Sequence, residues 1–212
     1  MVRVREVTAE ELTQIGRLRY QIYVTEMNRI QHYADHDQET IFDPLDEFAT
    51  VLAAESHGRL IGTVRTNCCR NGDLGDYAEF YEIDPTPAHW DRASITTRLM
   101  VEPAYRGSRA PLLLAMAAFN FGLREGIRWN YIDCNLHLLS FFERLGYMEQ
   151  FTKRHPEYGN VHCMRLDLHD LTHLAAVDSP FLSSARTYLA ERPAQPQTAP
   201  APWQPADLVP VQ

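Results

Sequence analysis

Apolar and charged residues alternate from Val2 to Val7, the period of a half-buried strand, and the period changes directly afterwards. Thr8 and Glu11 have the spacing of a capping box. Leu12, Ile15, Leu18, Ile22 and Met27 then recur at helical intervals, so a helix is expected from Thr8 towards His32. The polar, acidic stretch 33–47 reads as loop. Residues 48–55 and 60–66 read as two strands, joined as a hairpin through Ser56, His57 and Gly58. Residues 71–89 read as irregular, punctuated by Gly72, Gly75, Pro85 and Pro87. A central strand is expected over 94–101, where β-branched residues concentrate before Glu102 and Pro103. Pro111 suits the first turn of a following helix, whose buried stripe is Leu112, Ala115, Met116, Phe119 and Leu123, up to Gly126. The pattern continues with a strand over 129–134, a short helix over 136–145 stopped by Gly146, a strand from Tyr147, and a last strand over 161–168.

This order predicts an α/β protein with a mixed central sheet and helices on both faces, not a simple strand–helix alternation. Residues 1–192 are expected to form that domain. Six prolines between Pro193 and Pro210 mark 193–212 as a tail that should not fold alone.

Composition narrows the chemistry. With 20 basic and 28 acidic residues the formal charge is −8, which repels a polyanion, and no basic run stands against it. Nucleic acid is therefore excluded as a general partner. Cys68, Cys69, Cys134 and Cys163 have neither metal-type nor disulfide-framework spacing and read as reduced thiols. The first residues lack a signal-peptide core, and the longest apolar stretch, 112–123, is broken by Asn120 and Gly122. A cytoplasmic protein without a membrane span is expected.

The most informative stretch is 99–147. A strand ends in VEPAYRGSRAP, turns into a helix, and is followed by a strand and then NLHLLSFFERLGY. This resembles the GNAT superfamily of acyl-CoA-dependent N-acyltransferases, whose pyrophosphate loop follows the central strand and whose next helix carries an Asn to Leu-Gly-Phe/Tyr signature. Arg106, Gly107 and Ser108 fall in the loop, while Asn135, Phe142, Glu143, Leu145, Gly146 and Tyr147 match the second motif. Backbone N–H groups at a helix start hold phosphate, so Gly107, Ser108, Arg109 and Ala110 are candidate donors, with charge added by Arg106 and Arg109. The resemblance also puts Val101 and Asn135 at the donor site. Arg109 and Pro111 stand where the superfamily usually has glycines. A single phosphate, as on the phosphopantetheine of an acyl carrier protein, then fits as well as coenzyme A.

RYQIY at 19–23, DPLD at 43–46 and GTVRTN at 62–67 resemble the autoinducer synthases and long-chain N-acyl amino acid synthases, which take acyl groups from acyl carrier protein. PEYGNVHCMRLDLHDLTHL and SPF, within 156–181, resemble the second group more. Ile41 and Ile95 replace two glutamates of the autoinducer synthases, which argues against homoserine lactone production.

Such a site must deprotonate an ammonium, meet an oxyanion and release a thiolate. The resemblance implies oxyanion donors in the backbone near 100–102. Many relatives supply a tyrosine acid where this chain has Phe142, assigned instead to the substrate wall. Glu102, at the strand end, is the first candidate base. Asp43 and Asp46 are candidates to orient the amine or relay its proton. Arg19, Arg65 and Arg98, on a helix and strands, either pair with those aspartates or anchor a substrate carboxylate. Cys134 reads as a buried thiol before an acyl-accepting nucleophile. His169 with His173, and His32 with His36, have helical ligand spacing but no third ligand, so no metal is expected. The expectation is an N-acyltransferase moving a medium or long acyl group from acyl-CoA or acyl carrier protein to a primary amine of an amino acid or peptide, by direct attack in a ternary complex. Rival readings are an acetyl-CoA-dependent acetyltransferase of a small amine and a non-catalytic module that binds acyl thioesters.

Overall fold

A computed structural model describes residues 1–191, and the expected tail at 193–212 lies outside the described residues. The chain opens with β1 (Val2–Glu6) and a short 3-10 turn into α1 (Leu12–Tyr20). The Glu11 carboxylate accepts the Thr8 amide at 3.1 Å, as the capping box requires. The helix does not reach His32. It widens into a π-helical turn at Gln21–Glu26 and stops where Asn28 turns left-handed, at φ +49°. The expected loop 33–47 holds a small hairpin, β2 (Ala34–Asp35) with β3 (Thr40–Ile41), and a 3-10 turn at Pro44–Phe48. The expected hairpin follows as β4 (Thr50–Ser56) and β5 (Arg59–Cys68). The stretch read as irregular contains two one-turn helices, α2 (Tyr77–Phe80) and α3 (Pro87–Trp90). Then come β6 (Ala93–Val101), α4 (Ala110–Arg124), β7 (Trp129–Cys134), α5 (Leu139–Leu145), β8 (Met148–His155) and β9 (Gly159–Asp167). Two closing helices, α6 (Leu171–Ala176) and α7 (Leu182–Glu191), add to the elements the pattern predicts.

The main sheet has seven strands in the order β1-β4-β5-β6-β7-β9-β8, antiparallel except for β6 with β7. Strand β4 shows why the sheet carries helices on both faces. Val51 and Ala53 pack against Ile15 of α1, while Leu52 and Ala54 pack with Leu114 and Ala118 of α4. A strand covered on both sides reads as a continuous apolar run, here VLAA. Aromatic residues and α7 extend the core on the α4 side, where Phe119 stacks on Phe181 with ring centroids 4.2 Å apart. Among the described residues no helix is long and apolar enough to cross a membrane.

Two irregularities position the site. Strands β6 and β7 pair only through Ala93, Ile95 and the residue between them, opposite Trp129 to Tyr131, and part company beyond. On its other edge β6 carries a bulge: Thr63 faces Met100 and Arg65 faces Thr97, so Arg98 and Leu99 together oppose Val64. Arg98 takes the left-handed conformation there, at φ +57°, unusual for a residue with a side chain.

Candidate active site

The gap between β6 and β7 leads into a cavity of about 600 Å³, within the usual range of about 300–1,000 Å³ for small-molecule sites. One wall is apolar and built from β6, α4, β7 and α5: Leu99, Met100, Val101, Leu112, Ala115, Ile132, Phe141 and Phe142. The other is polar and aromatic, with Tyr23, Arg29, Tyr77, Arg98, Asp133 and Tyr158. Arg106, Ser108 and Pro111 line the end nearest the loop before α4.

That loop retains few free amides. The Ser108 amide donates to the Tyr105 carbonyl at 3.0 Å, and the Ala110 amide to the Ser108 hydroxyl at 3.1 Å, which caps α4 locally. The Gly107 and Arg109 amides are left over among the four expected donors. A Cβ at Gly107 would meet nothing within 4 Å, so the position opens outward. Arg106 is engaged: Nε donates to the Val101 carbonyl at 2.9 Å, and Nη1 and Nη2 grip the Glu26 carboxylate at 2.6 and 2.8 Å. It ties the loop to the turn after α1. Arg109 is exposed and does not line the cavity.

Arg19, Arg65 and Arg98 are drawn together with Asp43 and Asp46. Arg19 holds both oxygens of Asp46 at 2.9 and 2.8 Å. Arg65 bridges the two aspartates, 2.5 Å from Asp43 and 3.1 Å from Asp46, and Arg98 reaches Asp43 at 2.8 Å. Arg19 and Arg65 are 0% exposed, where unpaired guanidinium would be costly. Burial pushes the Asp43 carboxyl up, but Arg65 and Arg98 outweigh it and hold it below the usual carboxylate range. Asp46 is held down likewise by Arg19 and Arg65. Three guanidinium groups against two carboxylates leave one positive charge. Arg98 carries it to the cavity, also bonding Gln31 Oε1 at 2.7 Å and lying over the Tyr23 ring at 5.2 Å. This anchorage holds its left-handed backbone in place. Asp43 also caps the Pro44–Phe48 turn, accepting the Leu45 amide at 3.1 Å.

Glu102 lies elsewhere. Its carboxylate accepts from Arg59 at 2.6 Å, its amide donates to the Ile61 carbonyl at 2.8 Å, and it does not line the cavity. Asn135 lines the cavity and donates from Nδ2 to the Tyr158 carbonyl at 3.1 Å, joining the end of β7 to the β8–β9 turn. Phe142 packs edge-on to Phe141 and Tyr147. The Cys134 thiol sits 3.7 Å from the Met164 sulfur, and burial pushes its pKa up to about 12. His173 Nε2 lies 3.0 Å from the Gly146 carbonyl oxygen, and His36 Nδ1 lies 2.9 Å from the Tyr20 hydroxyl.

Sequence reasoning misses Asp133, which faces the cavity from β7. The Tyr81 hydroxyl donates to its Oδ1 at 2.5 Å, and burial pushes the carboxyl above its usual range. A signal does exist: β7 is covered on both faces, and an aspartate in such a strand, with no basic residue in the strand itself, needs a reason.

A search of curated protein sequences finds no match. Among solved structures, FeeM, an N-acyl amino acid synthase from uncultured soil microbes, is 14% identical with a TM-score of 0.66, covering 87% of this chain and 98% of its own. The CoA-dependent acyl-homoserine lactone synthase MesI is 20% identical with a TM-score of 0.63, covering 91% and 97%. BjaI, of the same activity and solved with SAM and isopentyl-CoA, is 16% identical with a TM-score of 0.66, covering 88% and 100%. These likenesses establish the GNAT-like α/β fold. The family model for N-acyl amino acid synthase FeeM matches residues 14–167, most of the described chain, including the gap between β6 and β7, the loop before α4 and the arginine–aspartate cluster. The chain therefore belongs to the FeeM N-acyl amino acid synthase family, N-acyltransferases that move an acyl group from a thioester to an amine.

Proposed function

We infer that this protein transfers a medium or long acyl chain from a phosphopantetheine thioester, on coenzyme A or an acyl carrier protein, to the primary amine of an amino acid. One observation carries the reading: a single cavity runs from the loop before α4 to Arg98, joining an apolar wall to a cationic, aromatic one. The first suits an acyl chain and the second an amino acid carboxylate. The donor phosphate is held by the Gly107 and Arg109 amides at the positive end of α4. The acyl chain lies between Leu99 to Val101 and the aromatic pair Phe141 and Phe142. Arg98 and Arg29 face the acceptor carboxylate, and Arg29 is steadied over the Tyr158 ring at 5.1 Å.

Both substrates are present together, and the amine attacks directly. An acyl-cysteine route is disfavoured because a thiol with a pKa of about 12 is almost wholly protonated at neutral pH. The oxyanion is met by backbone amides at the bulge of Arg98 and Leu99, where the pairing of β6 with β5 shifts register, since the Glu102 amide is already spent on Ile61. The leaving thiolate, of ordinary acidity at about 8.5, needs no side-chain acid, in keeping with Phe142. Four free cysteines support a reducing, cytoplasmic setting.

The test is thiol release from acyl-CoA and acyl carrier protein donors, acetyl through palmitoyl, with free amino acids as acceptors and mass spectrometry of the product. Longer donors should outpace acetyl and yield an N-acyl amino acid. A protein that binds these thioesters yet frees no thiol would instead be the non-catalytic module.

A further inference from the structure

We propose that Asp133 is the general base, taking the ammonium proton of the acceptor from across the gap between β6 and β7, opposite the β6 bulge. This rests on the acyl-transfer reading above and adds the residue that starts the reaction. The last pair across the seam is Ile95 with Tyr131. Two residues further along each strand stand Thr97 and Asp133, with the bulge at Arg98 and Leu99 next to the first. The carboxylate therefore faces the gap beside the backbone assigned to the oxyanion, where the attacked carbonyl must lie.

Among the residues lining the cavity, Asp133 is the single carboxylate. The other acidic candidates are committed elsewhere: Glu102 to Arg59, and Asp43 and Asp46 to buried arginines that stabilise their ionised, weakly basic forms. Tyr81 holds Oδ1 of Asp133, and no other side chain among the described residues hydrogen-bonds the carboxyl, so Oδ2 is left for the amine. The charged and titratable groups facing it are Tyr77 and Tyr81 from α2 and the turn after it, Arg98 from β6, His155 from β8 and Cys163 from β9. Burial dominates over these and lifts the carboxyl above its usual range, which moves it towards the acidity a base needs near neutrality. His137 also lines the cavity, but on the exposed turn at its mouth.

The proton balance is simple. Asp133 Oδ2 accepts one ammonium proton, and the freed lone pair forms the C–N bond at the thioester carbonyl. When the C–S bond breaks, the thiolate leaves with the second N–H proton and Asp133 returns the first to solvent. Ammonium and thioester become amide, thiol and one proton.

The experiment measures thiol release from decanoyl-CoA with a mixture of free amino acids, across pH, for the full chain and its variants. Asp133→Asn should lower kcat/KM by at least about 100-fold, leave equilibrium binding of decanoyl-CoA unchanged, and abolish the acid limb of the profile. Asp133→Glu should recover part of the rate. Tyr81→Phe removes the hydrogen bond that favours the ionised carboxylate, so the acid limb should move to higher pH by about one unit. Asp133→Asn within a few fold of the parent with its acid limb intact would overturn the assignment while leaving the acyltransferase reading standing. So would loss of that limb in His137→Gln. Should Asp133→Asn not fold by circular dichroism, an unmoved limb in Tyr81→Phe decides against the proposal. No thiol release by the parent from either decanoyl-CoA or decanoyl-acyl carrier protein with any acceptor ends both readings together.

Discussion

Asp43 holds two arginines by its two oxygens while its backbone begins the Pro44–Phe48 turn, so one side chain joins a loop to two central strands. Asp43→Asn keeps the shape and removes one of only two negative charges against three buried positive ones. Breaking a buried pair costs about 3–5 kcal/mol, because the partner charge remains. Urea denaturation of this variant should show that loss as a lower midpoint. Arginines on strands and aspartates in a polar loop are legible in the sequence as prospective partners, because a buried guanidinium must find a counter-charge. Which of pairing and substrate anchoring prevails depends on distances that no one-dimensional pattern contains. Glu102 illustrates the same limit: its place at a strand end is legible, but its pairing with Arg59 across the neighbouring strand is not.

At the scale of elements, the loop into α4 is the part most exposed to a decisive test. Gly107→Asp places a carboxylate in open space at a helix start, where negative charge suits the dipole, so the fold should be retained. Facing a phosphate, the same charge repels. The KM for acyl-CoA should rise at least about tenfold, roughly 1.4 kcal/mol, with the melting temperature little changed. The long strands, the hairpin and α4 are legible because each carries its own periodicity or turn chemistry. One-turn helices such as α2 and α3 are not, since so short a helix cannot offset its nucleation cost alone. Tertiary bonds hold them: Tyr81, just after α2, to Asp133, and His89 of α3 to the Tyr131 hydroxyl at 2.8 Å. The closing helices are hidden differently. The eye is drawn to His169 and His173, while Leu174, Phe181 and Ala185, which join the main core, are separated by a turn that interrupts the period.

For the whole molecule, acid should unfold the protein in two stages. His89, stacked on Trp129 at 4.0 Å, and His155, whose Nδ1 accepts the Glu157 amide at 3.1 Å, are buried and held below the usual histidine range. They bind protons more readily when unfolded, so their contribution is full above about pH 6.5 and erodes as pH falls through that value. Asp43 and Asp46, also held below their ordinary range, keep theirs down to about pH 4 and lose it as pH falls further. A melting temperature followed from pH 8 to 3 should fall gently first and steeply afterwards. A single drop confined to the lower range would mean that the histidine linkage is absent or offset by Asp133, whose raised carboxyl favours the folded state as pH falls.

The short β6–β7 seam has a mechanical consequence. Beyond it the sheet is two plates, β1-β4-β5-β6 and β7-β9-β8, hinged at one edge without continuous backbone bonding between them. Tension arising where one reactant seats cannot travel to the other through main-chain hydrogen bonds. Side chains must carry it, and Arg98 spans the divide, rooted in the first plate and donating to the Tyr158 hydroxyl of the second at 3.3 Å. Communication between the two reactants thus runs through side chains, the Arg98 guanidinium beside the reacting centre and the Asn130 amide, which donates to the Thr96 hydroxyl at 2.9 Å, nearer the seam.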